Sequence, residues 1–117
     1  MPIEPRPIVG LPLPRVADAY VTVEKLQQWI LADRGHGQEW GAVFRVASTD
    51  AELVWRAIVD VVRQALIHKI IDLGRDGIVC GVDLTLTIGL RTAGVRTSWH
   101  YAHTGAAPRL VTVYPRL

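Results

Sequence analysis

Apolar residues recur at helical spacing through the first half of the chain and at alternating positions through its last third. Val23, Leu26, Trp29 and Ile30 form the first stripe, with Thr22 placed to cap it and Glu24 in its first turn. A helix is therefore predicted from about Val23 to Asp33, ended by Arg34-Gly35-His36-Gly37. Trp40, Val43, Phe44 and Ala47 stand at i, i+3, i+4 and i+7, a second and shorter helix. A third opens on a capping box, Thr49 with Glu52 three residues on. Its stripe of Leu53, Val54, Ala57, Ile58, Val61, Val62 and Ala65 carries it to about His68, with Arg56, Asp60, Arg63 and Gln64 as a solvated flank.

From Leu73 the period changes. Gly74, Gly77 and Gly81, with Asp72 and Asp76, mark turns, and Ile78-Val79-Cys80 reads as a short strand. Val82, Leu84, Leu86 and Ile88 alternate with Asp83, Thr85 and Thr87, which predicts a half-buried strand. Arg91-Thr92-Ala93-Gly94 reads as a hairpin connection, followed by strands over Val95–Ala102 and Arg109–Tyr114. Helices precede strands, so the fold class is α+β: two to three N-terminal helices packed on one face of a three- to four-stranded antiparallel sheet. Five of the seven prolines fall in residues 2–14. Residues 1–15 are therefore an extended arm, and residues 16–117 a single domain. The arm reads as a strap closing the core edge through Ile8, Val9, Leu11 and Leu13; donation to a partner is the alternative.

Composition adds limits. A chain of 117 residues, half of them apolar, suits one domain with its own core. The lone Cys80 excludes an internal disulfide framework and fits a reducing compartment. Prolines interrupt the start, so it lacks a signal-peptide apolar run, and no stretch approaches a membrane span. A soluble, cytoplasmic protein with no membrane partner is expected. Charge is unevenly placed: all eleven acids lie in the first 83 residues, against nine Lys and Arg, while the last 34 residues carry four Arg and no acid. A one-signed segment that also holds His100 and His103 suits an anionic ligand such as a nucleic-acid backbone; edge-strand protection is the plainer reading.

Strand alternation sharpens this. Thr85, Thr87, Arg96, Ser98, His100, Thr112 and Tyr114 share one polar face, whose single carboxylate is Asp83, while Val95, Thr97, Trp99, Tyr101, Val111 and Val113 face the core. Leu110 is placed outward with Thr112 and Tyr114. These side chains suit phosphodiester cleavage by a ribose 2′-OH. His100 exchanges the proton, Arg96 and Arg109 clamp the phosphate, and the hydroxyls of Ser98, Thr85 and Thr87 position it beside Thr112 and Tyr114. No metal or other cofactor is required. His36, between two glycines before a helix start, is the second acid/base candidate, with Glu39 to orient it or act as base. The plainer readings are a loop histidine, an ordinary first-turn glutamate and exposed strand residues. A zinc site on His100-x-x-His103, a calcium loop over Asp72–Gly77 and a Cys80 nucleophile are each poorly supported by spacing. Trp29, Trp40 and Trp99 are expected in the core, and Trp55 partly exposed.

The segments LPLPRVADAYVTVEKLQQWILADRGHGQEWGAVF and RTSWHYAHTGAAPRLVTVYP resemble a family of small bacterial domains found alone or as end modules of toxin-like proteins, over about Leu11 to Pro115. Arg109-Leu-Val-Thr112-Val-Tyr114-Pro115 is similar to the final strand of barnase–EndoU–colicin–RelE-like ribonuclease toxins. That resemblance implies an open sheet face that cuts RNA without metal, with Thr112, Tyr114, Arg96, Trp99 and the helix start near His36 at the site. Related toxins carry a Lys-His or His-Lys pair at that helix start; Glu39 and Trp40 stand there in this chain. The resulting expectation is a metal-independent ribonuclease toxin acting on tRNA or mRNA, partnered by a cognate acidic antitoxin or immunity protein. A non-catalytic partner-binding module and a non-cleaving RNA-binding domain are the alternatives.

Overall fold

The computed structural model describes residues 6–27 and 37–116. Its elements are α1 (Val23–Lys25), α2 (Gly37–Phe44), α3 (Ala51–Val62), β1 (Ile67–Asp72), β2 (Ile78–Ile88), β3 (Arg91–Tyr101) and β4 (Arg109–Pro115). The four strands form one antiparallel sheet in chain order, so the protein is α+β.

The starts of α1 and α3 follow local rules. Thr22 Oγ1 accepts the Lys25 N–H at 3.1 Å and caps α1. The remainder of the helix expected to Asp33 lies outside the described residues. Before α3 the reach-back is made by Asp50, whose Oδ2 accepts the Ala47 N–H at 2.8 Å, not by the Thr49–Glu52 pair. Helix α3 also ends six residues short of the expected His68. Ile67, Ile70 and Ile71 are β-branched, and Ile67 is fully buried in a strand, its carbonyl accepting Gly10 N–H at 2.8 Å and its own N–H reaching Leu11 O at 2.9 Å. Strand pairing overrides the helical period at that point.

The hairpin joining β2 and β3 is the two-residue loop Gly89–Leu90, not Arg91–Gly94, which are paired strand residues. Gly89 has φ 61° and Leu90 is not in the left-handed region, the type II′ pattern that matches strand twist. Gly81, read as a turn, lies inside β2 opposite Ser98. Strand β4 skips Val111 between the pairs Trp99↔Leu110 and Ser98↔Thr112. This bulge returns Leu110 to the core beside Val113, although strict alternation points it outward.

One apolar cluster unites Val54, Ile58 and Val62 of α3, Trp40 and Phe44 of α2, and Val82, Leu84, Leu86, Val95, Trp99 and Val113 of the sheet. Trp40 Nε1 donates to Val113 O at 3.4 Å, and the Trp55 and Trp99 rings lie 6.2 Å apart. Thr97 is fully buried yet satisfied: its hydroxyl donates to Val82 O and accepts from Trp99 Nε1, both at 2.7 Å. The arm contributes through Leu13, which is buried, while Ile8, Val9 and Leu11 are exposed. Tyr101 OH donates to Pro14 O at 2.7 Å, and Tyr20 bridges Arg109 in β4. The strap thus touches β1 and β3, and Tyr20, just beyond it, touches β4. Among the described residues, no helix is long and apolar enough to cross a membrane.

Candidate functional site

The register of the sheet sets its polar face out in rows. Val79, His100 and Arg109 lie in one row; Gly81, Ser98 and Thr112 in the next; Asp83, Arg96 and Tyr114 in the third. Thr85 and Gly94 follow, where the Arg116 N–H donates to Gly94 O at 2.8 Å. At ~3.3 Å per residue, Arg96 and His100 stand about 13 Å apart along β3. They share a face but not a site.

The third row is the centre of charge. Arg96 Nε donates to Asp83 Oδ1 at 3.1 Å and its terminal nitrogen to Oδ2 at 3.5 Å. Arg116 Nη1 approaches Asp83 Oδ2 at 3.3 Å, and His68 Nε2 lies 4.0 Å from the same oxygen. The Arg96 hydrogen bond, aided by the charges of Arg96, Arg116 and His68 and opposed by burial, holds the Asp83 carboxyl below the ordinary aspartate range. In return Asp83, and secondarily Tyr114, make the Arg96 guanidinium still more basic. Glu39 in the first turn of α2 lines a cleft of about 320 Å³ with Arg96, Tyr114, Pro115 and Arg116. The cleft therefore joins a helix start to two strands, with a carboxylate, two guanidiniums and a phenol around it.

His100 is built into the other end of the face. Its Nε2 donates to Asp76 O at 2.7 Å, so the ring braces the Gly74–Asp76 turn. Arg109 lies opposite His100, and its charge, after burial, depresses the Lys25 pKa, which marks a second basic spot about two rows from the cleft. Ser98 and Thr112 occupy the row between the two spots. Thr85 and Thr87 lie toward the hairpin, where Thr87 Oγ1 shares a 2.8 Å hydrogen bond with Thr92 Oγ1. His36 lies outside the described residues. His103 is in an exposed loop, with Nδ1 donating to Thr104 O at 2.9 Å. Cys80 is buried, its thiol pushed up to about 11 by desolvation. Among the described residues, no three His, Cys, Asp or Glu side chains gather as a metal site would require.

Arg96 and Tyr114 are thus brought together, while His100 and Arg109 stand apart from them. Sequence reasoning missed His68, which it placed at a helix end, and gave Arg116 no role beyond its charge. The signals were available: Ile67-His-Lys-Ile-Ile is a β-branched run, and Arg116 follows Tyr114 at the strand period of two. No family model, curated protein or solved structure matches the chain.

Proposed function

We propose that the protein is a metal-independent ribonuclease toxin that cleaves tRNA or mRNA in the cytoplasm by attack of a ribose 2′-OH. The observation that carries this reading is the convergence of Glu39, Arg96, Tyr114 and Arg116 on one cleft. In this reading two to three helices cover the apolar face of the sheet and leave the polar face to the RNA. Arg96 and Arg116 hold the scissile phosphate and stabilise its added charge. Glu39 takes the 2′-OH proton, the 2′-oxygen bonds to phosphorus, and the 5′-oxygen leaves with a proton from a histidine. His68 beside Asp83 is the donor among the described residues, and His36, which directly precedes α2 in sequence, is its rival. Tyr114 and Thr112 position the phosphate and the base. His100, Arg109 and Ser98 serve a neighbouring phosphate, and a cognate acidic antitoxin or immunity protein covers the face.

A partner-binding module is the second reading, favoured by one observation: Asp83 already neutralises Arg96. The test is cleavage of total RNA with EDTA present. Wild-type protein should give discrete products; Glu39→Gln should lose them at unchanged melting temperature, Arg96→Gln should lose them while the protein stays folded at the assay temperature, and His68→Ala or His36→Ala should identify the proton donor. Intact RNA at high protein concentration would remove the enzymatic reading in favour of the binding module.

A further inference from the structure

Asp83 is the only carboxylate of the last 35 residues, yet it stands opposite Arg96 in the sheet register. Its two oxygens engage Arg96 at 3.1 and 3.5 Å, and Oδ2 is also 3.3 Å from Arg116. A carboxylate fixed between two guanidiniums presents them with the charge and the paired acceptor oxygens that a phosphate presents. The pair is also accessible: the side chains of Arg96, Arg116 and Asp83 keep 40%, 52% and 25% of their exposure. An exposed ion pair of this kind is weak enough for an incoming phosphate oxyanion to replace.

We infer that Asp83 is a displaceable internal anion, occupying the Arg96–Arg116 clamp until a phosphate group exchanges with it. This deepens the reading given above and rests on its assignment of Arg96 and Arg116 to phosphate binding. Exchange leaves the clamp ordered in the empty protein, and it sets a threshold: a weakly charged ligand does not open the pair, a phosphate does. His68 faces Asp83 from β1, and Glu39 and Tyr114 line the same cleft from α2 and β4. Once displaced, the Asp83 carboxylate retains the His68 imidazole as its neighbour.

The experiment is a titration of wild-type, Asp83→Asn and Asp83→Asn/Arg96→Gln proteins with inorganic phosphate, followed by calorimetry. Removing the competing charge should tighten phosphate binding about fivefold, the scale expected of a partly exposed pair, and the double variant should lose the gain. Equal or weaker binding by Asp83→Asn would overturn the proposal, because Asp83 would then be a positioning residue for Arg96. A second measurement needs no variant: the Asp83 carboxyl resonance, followed by carbon NMR in wild-type protein, should titrate at higher pH in saturating phosphate than without it. An unchanged titration would also overturn exchange. Neither readout depends on RNA cleavage. Phosphate exchange without nuclease activity would retire the ribonuclease reading alone, and cleavage without exchange would retire this one alone.

Discussion

Gly77→Ala is the sharpest test of the architecture that carries the polar face. Gly77 has φ 96° and ψ −154°, a region open essentially to glycine alone, and holding alanine there costs on the order of 1–3 kcal/mol. A Cβ would also collide with the Tyr101 carbonyl oxygen, and would lie 3.1 Å from its carbon and 3.0 Å from His100 Nε2. That carbonyl has little freedom to retreat. Tyr101 is paired with Ile78, and its hydroxyl is tied to the strap through Pro14. Strain and collision together should remove roughly 3–5 kcal/mol, a large share of a typical domain's stability. Two controls separate the causes. Gly74→Ala, at φ 66° with nothing within 4 Å, should cost about 1 kcal/mol from the left-handed backbone alone. Gly81→Ala meets its nearest neighbour at an ordinary 3.5 Å and should stay within about 1 kcal/mol of wild type. Urea denaturation of the three variants should give that order. A Gly77→Ala loss no larger than that of Gly74→Ala would refute the packing of this turn against β3.

Thr97→Val keeps the side-chain volume but strands the buried Trp99 indole N–H, so it should cost roughly 2–3 kcal/mol by urea denaturation; a loss below ~0.5 kcal/mol would contradict the Trp99–Thr97–Val82 chain of hydrogen bonds. Cys80 is buried and its thiol titrates at about 11, so at pH 8 a thiol reagent should react only as the protein unfolds, and prompt stoichiometric labelling of native protein would be inconsistent with that burial. Asp83 has a depressed folded-state pKa, led by its Arg96 hydrogen bond. Its stabilising contribution is therefore present above the ordinary aspartate pKa of about 3.9 and lost as pH falls through the lower folded value. Melting temperatures of wild-type and Asp83→Asn proteins should differ at pH 7 and converge below about pH 4, and a difference that grows with acidification would reverse the assignment.

The strands were legible where side chains alternate without interruption. Val82 to Ile88 and Val95 to Tyr101 announce their buried and polar faces directly, and both faces are found as the period of two requires. Legibility failed where a single element departs from its period. Ile67–Asp72 continues a helical stripe in sequence, yet Ile67 is drawn into the sheet by pairing with β2 and with the arm, a contact 56 residues away that no local window contains. The bulge at Val111 is equally silent: Leu110 and Val111 are both apolar, and only the partner strand decides which of them turns inward.

The candidate site was hidden by the same limit. Four arginines and no acid after Asp83 describe a segment, whereas a ligand meets a face. Arg96 and Arg116 spend their charge on Asp83, and Arg109 faces His100 in another row, so the face is not uniformly positive. What couples Asp83 to Arg96 is the position of one turn. A loop at Arg91–Gly94 would set Ala102 opposite Asp83 and Gly89 opposite Arg96, and no ion pair would form at this row. The loop at Gly89–Leu90 sets Arg96 opposite Asp83 and Gly94 opposite Thr85. The positive φ that only glycine adopts cheaply fixes that loop at Gly89. A two-residue choice of turn thus decides whether the arginines of the polar face stand open to an anion or are held by one of the chain's own carboxylates.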